Sequence, residues 1–281
     1  MPTPNNLTTP PKRFFHRMRR IILALFFLFL CTFGSLFAQS YTFQKESLPC
    51  LNKKFTVVAH IFKDSLGNYG ATEADIKKAI DGINPFFAPI CASFEICEFR
   101  YHENWSHDSL NDMAAESAEI KTKYHADYRI NIYFITAFDD PLGHCGFATL
   151  NGISQPKTSG IFIKKNCINV RTIAHEMGHF FNLLHTFEGS GAELVDGSNC
   201  TTQGDLVCDT PADPFVDGTP QSNWVDPNCR FINSLTDATG NYYNPDLGNI
   251  MSYYECGTCG FSRGQLKRMA DAYLGSAEKF W

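Results

Sequence analysis

The chain is short of charge: Asp, Glu, Lys and Arg make up 19% of its 281 residues, against an ordinary hydrophobic content of 44%. It has no low-complexity tract and no internal repeat, which removes solenoids and propellers. No Pro/Gly/Ser-rich linker divides it, so the length is read as one large domain with a core of its own rather than two small ones. Beyond residue 20 there is no basic tract, and the formal net charge is −5. A nucleic-acid partner is therefore excluded.

The one basic cluster sits at the front. Lys12, Arg13, Arg17, Arg19 and Arg20 precede an apolar run, Ile21 to Phe37, and Ala38 stands before the polar Gln39 and Ser40. These are the parts of a secretory signal peptide over residues 1–38, leaving 39–281 as the mature domain. An uncleaved anchor is the alternative, since the run is just below spanning length. Cleavage would take the formal charge to −10, because residues 1–38 hold five Lys/Arg and no Asp/Glu. The mature chain would then be extracytoplasmic, with no stable membrane partner.

Ten cysteines remain after residue 38: Cys50, Cys91, Cys97, Cys145, Cys167, Cys200, Cys208, Cys229, Cys256 and Cys259. An even number in an exported chain predicts up to five disulfides of unassigned pairing. Cys50 is expected in a bridge rather than free as a blocking thiolate. A zinc site on Cys256 and Cys259 is the weaker reading, because no second CxxC accompanies it.

Period-2 and β-branched runs predict strands over 55–62, 90–101, 128–137 and 160–164, with Cys91 and Cys97 on one face of the second. Helical spacing of Ile76, Ala79, Ile80 and Ile83 behind a Thr72 cap predicts a helix over 72–83. Further helices are expected over 169–184 and about 262–276. The stretch from His185 to about Leu247 is rich in Gly, Pro, Asn and Asp, and needs fastening by disulfides. The pattern is α+β: a mixed twisted sheet with a central helix, then an irregular disulfide-linked lobe ending in a helix, with a cleft between the two lobes.

The central helix contains His175-Glu176-Met177-Gly178-His179. Two histidines four apart lie on one helical face and can hold one Zn²⁺, with Glu176 beside the bound water as general base. His185 follows six residues later and would complete the ligand set if the chain turns between them. Asn182 is the residue to make that turn, since Asn tolerates left-handed φ better than other non-glycine residues. Downstream, Met251 lies in Asn249-Ile250-Met251-Ser252-Tyr253, a turn that could floor the site.

These motifs, HEMGHFFNLLHTF, then GDLVCDTPADP, NIMSYYEC and GFSRGQLKRM, resemble the pappalysin family of metzincins in order and separation, over about residues 129–272. The resemblance implies an extracellular zinc endopeptidase acting on protein or peptide substrates. It also implies a two-lobed catalytic domain, a methionine turn and structural calcium. Residue by residue it implies His175, His179 and His185 as zinc ligands, Glu176 as base, Met251 as the turn methionine, and Tyr253 as a group holding the oxyanion. Asn182 departs from the family's glycine, and Cys208 stands where the family often has an acid. A catalytically silent, metal-stabilised binding module is the rival, but such a module would be expected to lose Glu176 first.

Five smaller expectations complete the reading. The acidic segment 188–217 is expected to hold a Ca²⁺, with Asp205, Asp209 and Thr210 as contributors. Glu255, just before Cys256, is expected to border the pocket for the residue after the scissile bond and to favour Arg or Lys there. Gly146 to Leu150 is placed where metzincins carry the edge strand that pairs with substrate. Asp139 and Asp140 are expected in a solvated loop, and Thr186 and Phe187 to serve in packing.

Overall fold

The computed structural model describes residues 47–281, so the proposed signal segment 1–38 lies outside the described residues. The β-branched run forms β1 (Lys53–Phe62), at the heart of a five-stranded sheet of order β2-β1-β4-β7-β6. The other strands of the sheet are β2 (Ala92–His102), β4 (Ile130–Ile135), β7 (Ile161–Lys164) and β6 (Gly146–Ala148). All neighbours run parallel except β6, which pairs antiparallel with β7 and forms one edge. A small parallel pair joins β3 (Ser109–Leu110) to β5 (Ala137–Phe138).

Side chains alternate across the sheet, and both faces are covered. Phe55, Val57, Ala59 and Ile61 of β1 and Ile132 and Phe134 of β4 face one layer. That layer holds α1 (Glu73–Phe87) and α3 (Val170–Phe180), which bring Ile76, Ile80, Ile83, Ile173, Met177 and Phe180 to the same core. Phe62, Tyr133, Ile135 and Phe162 face the other way, onto Ile120 of α2 (Met113–Tyr124). The loop-rich half packs on Phe187, Phe215, Trp224 and Tyr254 and ends in α4 (Arg263–Gly275). Ser262 and Gln265 close a capping box at the start of α4.

Several boundaries differ from expectation. Thr72 caps α1 as expected, but the helix continues through Pro85 because Phe87 extends its buried stripe. Helix α2 went unpredicted: it buries only Ser117 and Ile120, so it shows no apolar periodicity. Helix α3 stops at Phe180, four residues before the expected end, where the chain reverses. Cys91 precedes β2 in a left-handed conformation, so it does not share a strand face with Cys97.

Four disulfides form: Cys50–Cys91, Cys145–Cys167, Cys200–Cys208 and Cys229–Cys256. Cys97 and Cys259 are free thiols, so the fifth bridge is absent among the described residues. The bridge from Cys256 to Cys229 also removes the CxxC metal reading.

On the far side of the sheet, His60 is fully buried between Asn131 and His102. Asn131 donates its amide to the Ala126 and Arg129 carbonyls, so its Oδ1 accepts from His60 Nε2, 2.9 Å away. His60 Nδ1 must then accept from His102 Nε2 at 3.0 Å. Burial holds His60 down to about 3 and His102 to about 4, so both are neutral in the fold. In the unfolded chain both take up protons near their ordinary value. Their stabilising effect is full above about pH 6.5 and is lost as pH falls toward 3, by up to ~1.4 kcal/mol per pH unit for each ring. Urea midpoints between pH 7 and 4.5 should fall with acid, and His60→Leu should flatten that slope; an unchanged slope would contradict the assignment.

Candidate metal centre

Helix α3 starts at Asn169, whose side chain accepts from Thr172 N, and presents His175 and His179 one turn apart on its cleft side. His175 Nδ1 lies 2.7 Å from Ile250 O, and His179 Nδ1 lies 2.8 Å from Leu183 O. A carbonyl only accepts, so each Nδ1 carries the proton and each Nε2 offers a lone pair. His185 Nε2 completes the group, 3.2 Å from His175 Nε2 and 3.0 Å from His179 Nε2.

An ion with nitrogen ligands at tetrahedral geometry spaces its donors about 3.3 Å apart. Burial supplies the protonation state such an ion requires. It lowers His175 to about 3, lowers His179, and carries His185 well below its ordinary value. The residues present therefore fit an imidazole-binding metal. Among the described residues, no other three His, Cys, Asp or Glu side chains bring ligand atoms together.

His185 reaches the centre because the chain reverses immediately after α3. Asn182 has φ +76°, as its role at the turn required, while Asn182 N and Leu183 N donate back to His179 O and Gly178 O. Met251 lies beneath the helix in a turn closed by Asn249 Oδ1, which accepts from Met251 N. A Cβ on Gly178 would come within 2.5 Å of Met251 Sδ, so glycine is what lets the turn approach. Phe187 stacks on His185 at 4.7 Å, and Thr186 donates to Asp213 at 2.7 Å, a bond beyond simple packing.

Glu176 is buried, and its Oε2 has no hydrogen-bond partner. Desolvation pushes its carboxyl up to about 8, and a cation beside it would bring that value down. Edge strand β6 runs directly alongside: a Cβ on Gly146 would lie 3.1 Å from Glu176 Cγ and 2.7 Å from Phe162 O. Tyr253 lies with its ring 4.8 Å from His185 and 5.5 Å from His175. Burial raises its phenol, which keeps it a neutral donor.

Glu176, His175 and Tyr253 open into a cavity of about 740 Å³ that Arg171, Asp217 and Glu255 also line. Arg171 donates to Ser252 O at 2.8 Å and Gly257 O at 2.6 Å, which pins the chain on either side of Glu255. Sequence reasoning passed over Arg171, although its position four before His175 puts it on the same helical face. It also missed that Asp140 holds His144, which lines this wall. Asp140 is not a free loop carboxylate: it accepts from Leu142 N and faces His144, which reaches Asp217 with its other nitrogen at 3.1 Å.

Of the three expected calcium contributors, only Asp205 and Thr210 come together. Asp205 Oδ1 accepts from Thr210 Oγ1 and Val207 N, whereas Asp209 turns away to Ser262 Oγ and Gly264 N at the start of α4. Buried Glu193 feels the charge of Asp205: burial first, then that charge, raises it to about 7.

Comparison with known proteins places this geometry. A family model described as pregnancy-associated plasma protein-A matches residues 158–273, and one described as metallo-peptidase family M12B, reprolysin-like, matches 90–186. An extracellular metalloprotease of Colletotrichum graminicola is 26% identical over 217 residues, 68% of this chain and 71% of the relative. One from Podospora anserina is 26% identical over 240 residues, 75% of this chain and 74% of the relative. Mature mirolysin of Tannerella forsythia, solved with a cleaved peptide, shares the fold with a TM-score of 0.57 at 18% identity, covering 77% of this chain and 89% of that one. The two family matches and the shared fold support a metzincin-type metalloprotease, a metalloendopeptidase of two-lobed fold that works with a catalytic metal.

The turn yields a direct test. A left-handed φ costs an ordinary L-residue about 1–2 kcal/mol, and glycine nothing. Asn182→Gly should keep metal binding and a melting temperature within a few degrees of wild type, whereas Asn182→Ala should lose about 1 kcal/mol in chemical denaturation. Equal stability of the two variants would show that the turn is not strained.

Proposed function

We propose that the protein is an exported zinc endopeptidase with His175, His179 and His185 as the zinc ligands and Glu176 as the general base. The observation that carries the reading is the convergence of three neutral Nε2 atoms beside a buried carboxylate oxygen with no partner. Export is supported by the four disulfides, by relatives named as extracellular, and by the signal-like segment 1–38.

Zinc held there supplies Lewis acidity, acidifying a water to a pKa of roughly 7 and polarising a carbonyl. The chain's own groups do the rest. Glu176 Oε2 takes the proton of the attacking water and later hands it to the departing amine. The Tyr253 hydroxyl donates to the oxygen that gains charge in the transition state. Met251 holds the floor under His175 through the Ile250 carbonyl, and Asn182 directs His185.

Glu176→Ala should bind zinc with near-wild-type affinity, because the base is not a ligand, yet lose about a hundredfold or more in peptide hydrolysis. Chelator competition and a quenched-peptide assay measure the two separately. Retention of most activity would remove Glu176 from its role.

Glu255 is proposed to select a basic residue after the scissile bond. Its support is its place on the cavity wall, on a segment pinned by Arg171 and by the Cys229–Cys256 bridge, with Asp217 lining the same space. In a peptide-library profile, cleavage before Arg or Lys should dominate. Glu255→Gln should lower kcat/KM for those substrates roughly tenfold, the size of one charge-assisted hydrogen bond. An apolar preference indifferent to the substitution would sink the assignment.

A further inference from the structure

Helix α4 is not part of the cavity wall, yet two of its side chains reach the segments that orient the imidazoles. Gln265, buried, exchanges hydrogen bonds with Asn249: Asn249 Nδ2 donates to Gln265 Oε1 at 2.9 Å, and Gln265 Nε2 donates to Asn249 Oδ1 at 3.2 Å. That Oδ1 also accepts from Met251 N, and Ile250 O, between the two residues, accepts from His175 Nδ1. One turn along the helix, Arg268 Nε donates to Asn182 O at 2.7 Å and Arg268 Nη1 to Asp205 O at 3.0 Å.

Asn182 is the left-handed residue that reverses the chain after α3. The next carbonyl, Leu183 O, accepts from His179 Nδ1, and His185 follows two residues later. A single guanidinium thus grips the turn on which both His179 and His185 depend.

We propose that Arg268 is a positioning residue of the metal centre, holding the Asn182 turn so that His179 and His185 aim at the same point as His175. The proposal rests on reading the three histidines as metal ligands. Its physical basis is the strain of the turn. A non-glycine residue at positive φ tends to relax, and a charge-assisted bond to its own carbonyl opposes that relaxation. The second arm of the fork, on Asp205 O, fixes the guanidinium in turn, so Arg268 cannot follow a turn that moves. Lysine cannot reproduce this, because one ammonium does not present two donors with the spacing of the fork. Groups that orient ligands without touching the metal characteristically set its affinity.

The test uses the full mature chain and Zn²⁺ alone, with affinity read by competition against a chromophoric chelator. Melting temperature in excess chelator reports the metal-free fold. Arg268→Gln should weaken zinc binding about 10- to 100-fold while the metal-free melting temperature stays within a few degrees of wild type. Arg268→Lys should fall between the two, and its Co²⁺-loaded form should show a shifted visible absorption band. Lys267→Gln, which alters a neighbouring exposed charge on α4, should leave zinc affinity within twofold.

A folded Arg268→Gln whose zinc affinity is within twofold of wild type overturns the proposal. So does a loss no larger than that of Lys267→Gln. If Arg268→Gln does not fold, Arg268→Lys decides by the same twofold criterion. His185→Ala in the same assay separates the two layers of the argument. If His185→Ala keeps wild-type affinity, the ligand reading itself has failed; if it loses zinc while Arg268→Gln does not, Arg268 alone is wrong.

Discussion

Three imidazoles can meet at one point only because α3 stops at Phe180. Continued as a helix at about 100° per residue, the six steps from His179 would carry His185 to another face. The reversal at Asn182 replaces those steps with a tight return, and everything about the centre follows from how that return is held. It also turns Leu183 O toward His179 Nδ1, so one turn both delivers the third imidazole and fixes the tautomer of the second.

The support beneath is apolar and rigid. Ile173, Met177 and Phe180 anchor α3 in the main core, so the opposite stripe, with His175 and His179, is carried on a packed body rather than a loop. Met251 closes the underside through the gap left by Gly178, while Gly146 lets the edge strand lie against Glu176 from above. Two missing side chains thus allow three segments to crowd one carboxylate and three rings. That crowding is the source of the desolvation that keeps the rings neutral.

Much of this was legible in the residues. The helical spacing of His175 and His179, the turn at Asn182, the strands with β-branched runs and the capped α4 all rest on local rules that tertiary context left standing. Other features had no local signal. Helix α2 hides only Ile120 and Ser117, so no period announces it, and the early end of α3 is invisible because Phe181, Leu183 and Leu184 continue an apolar pattern. The pairing of cysteines, the diversion of Asp209 to cap α4 and the grips of Arg171 and Arg268 depend on which loops meet in space. Asp205, Asp209 and Thr210 read as one acidic cluster along the chain and serve two separate ends in the fold.

The disulfides have a consequence for how the centre is filled. Ten cysteines lie among the described residues, and thiolates hold soft metal ions at least as well as imidazoles do. In a reduced chain, Cys145, at the cleft, and Cys256, next to Glu255 of its wall, would compete with the histidines for an ion. Bridging eight sulfurs removes eight competitors, and the same bonds fasten the loops that border the cavity. Oxidation would thus act as a selectivity filter in time: a chain that closes its disulfides before it meets metal offers the incoming ion the nitrogen site and two thiols in place of ten.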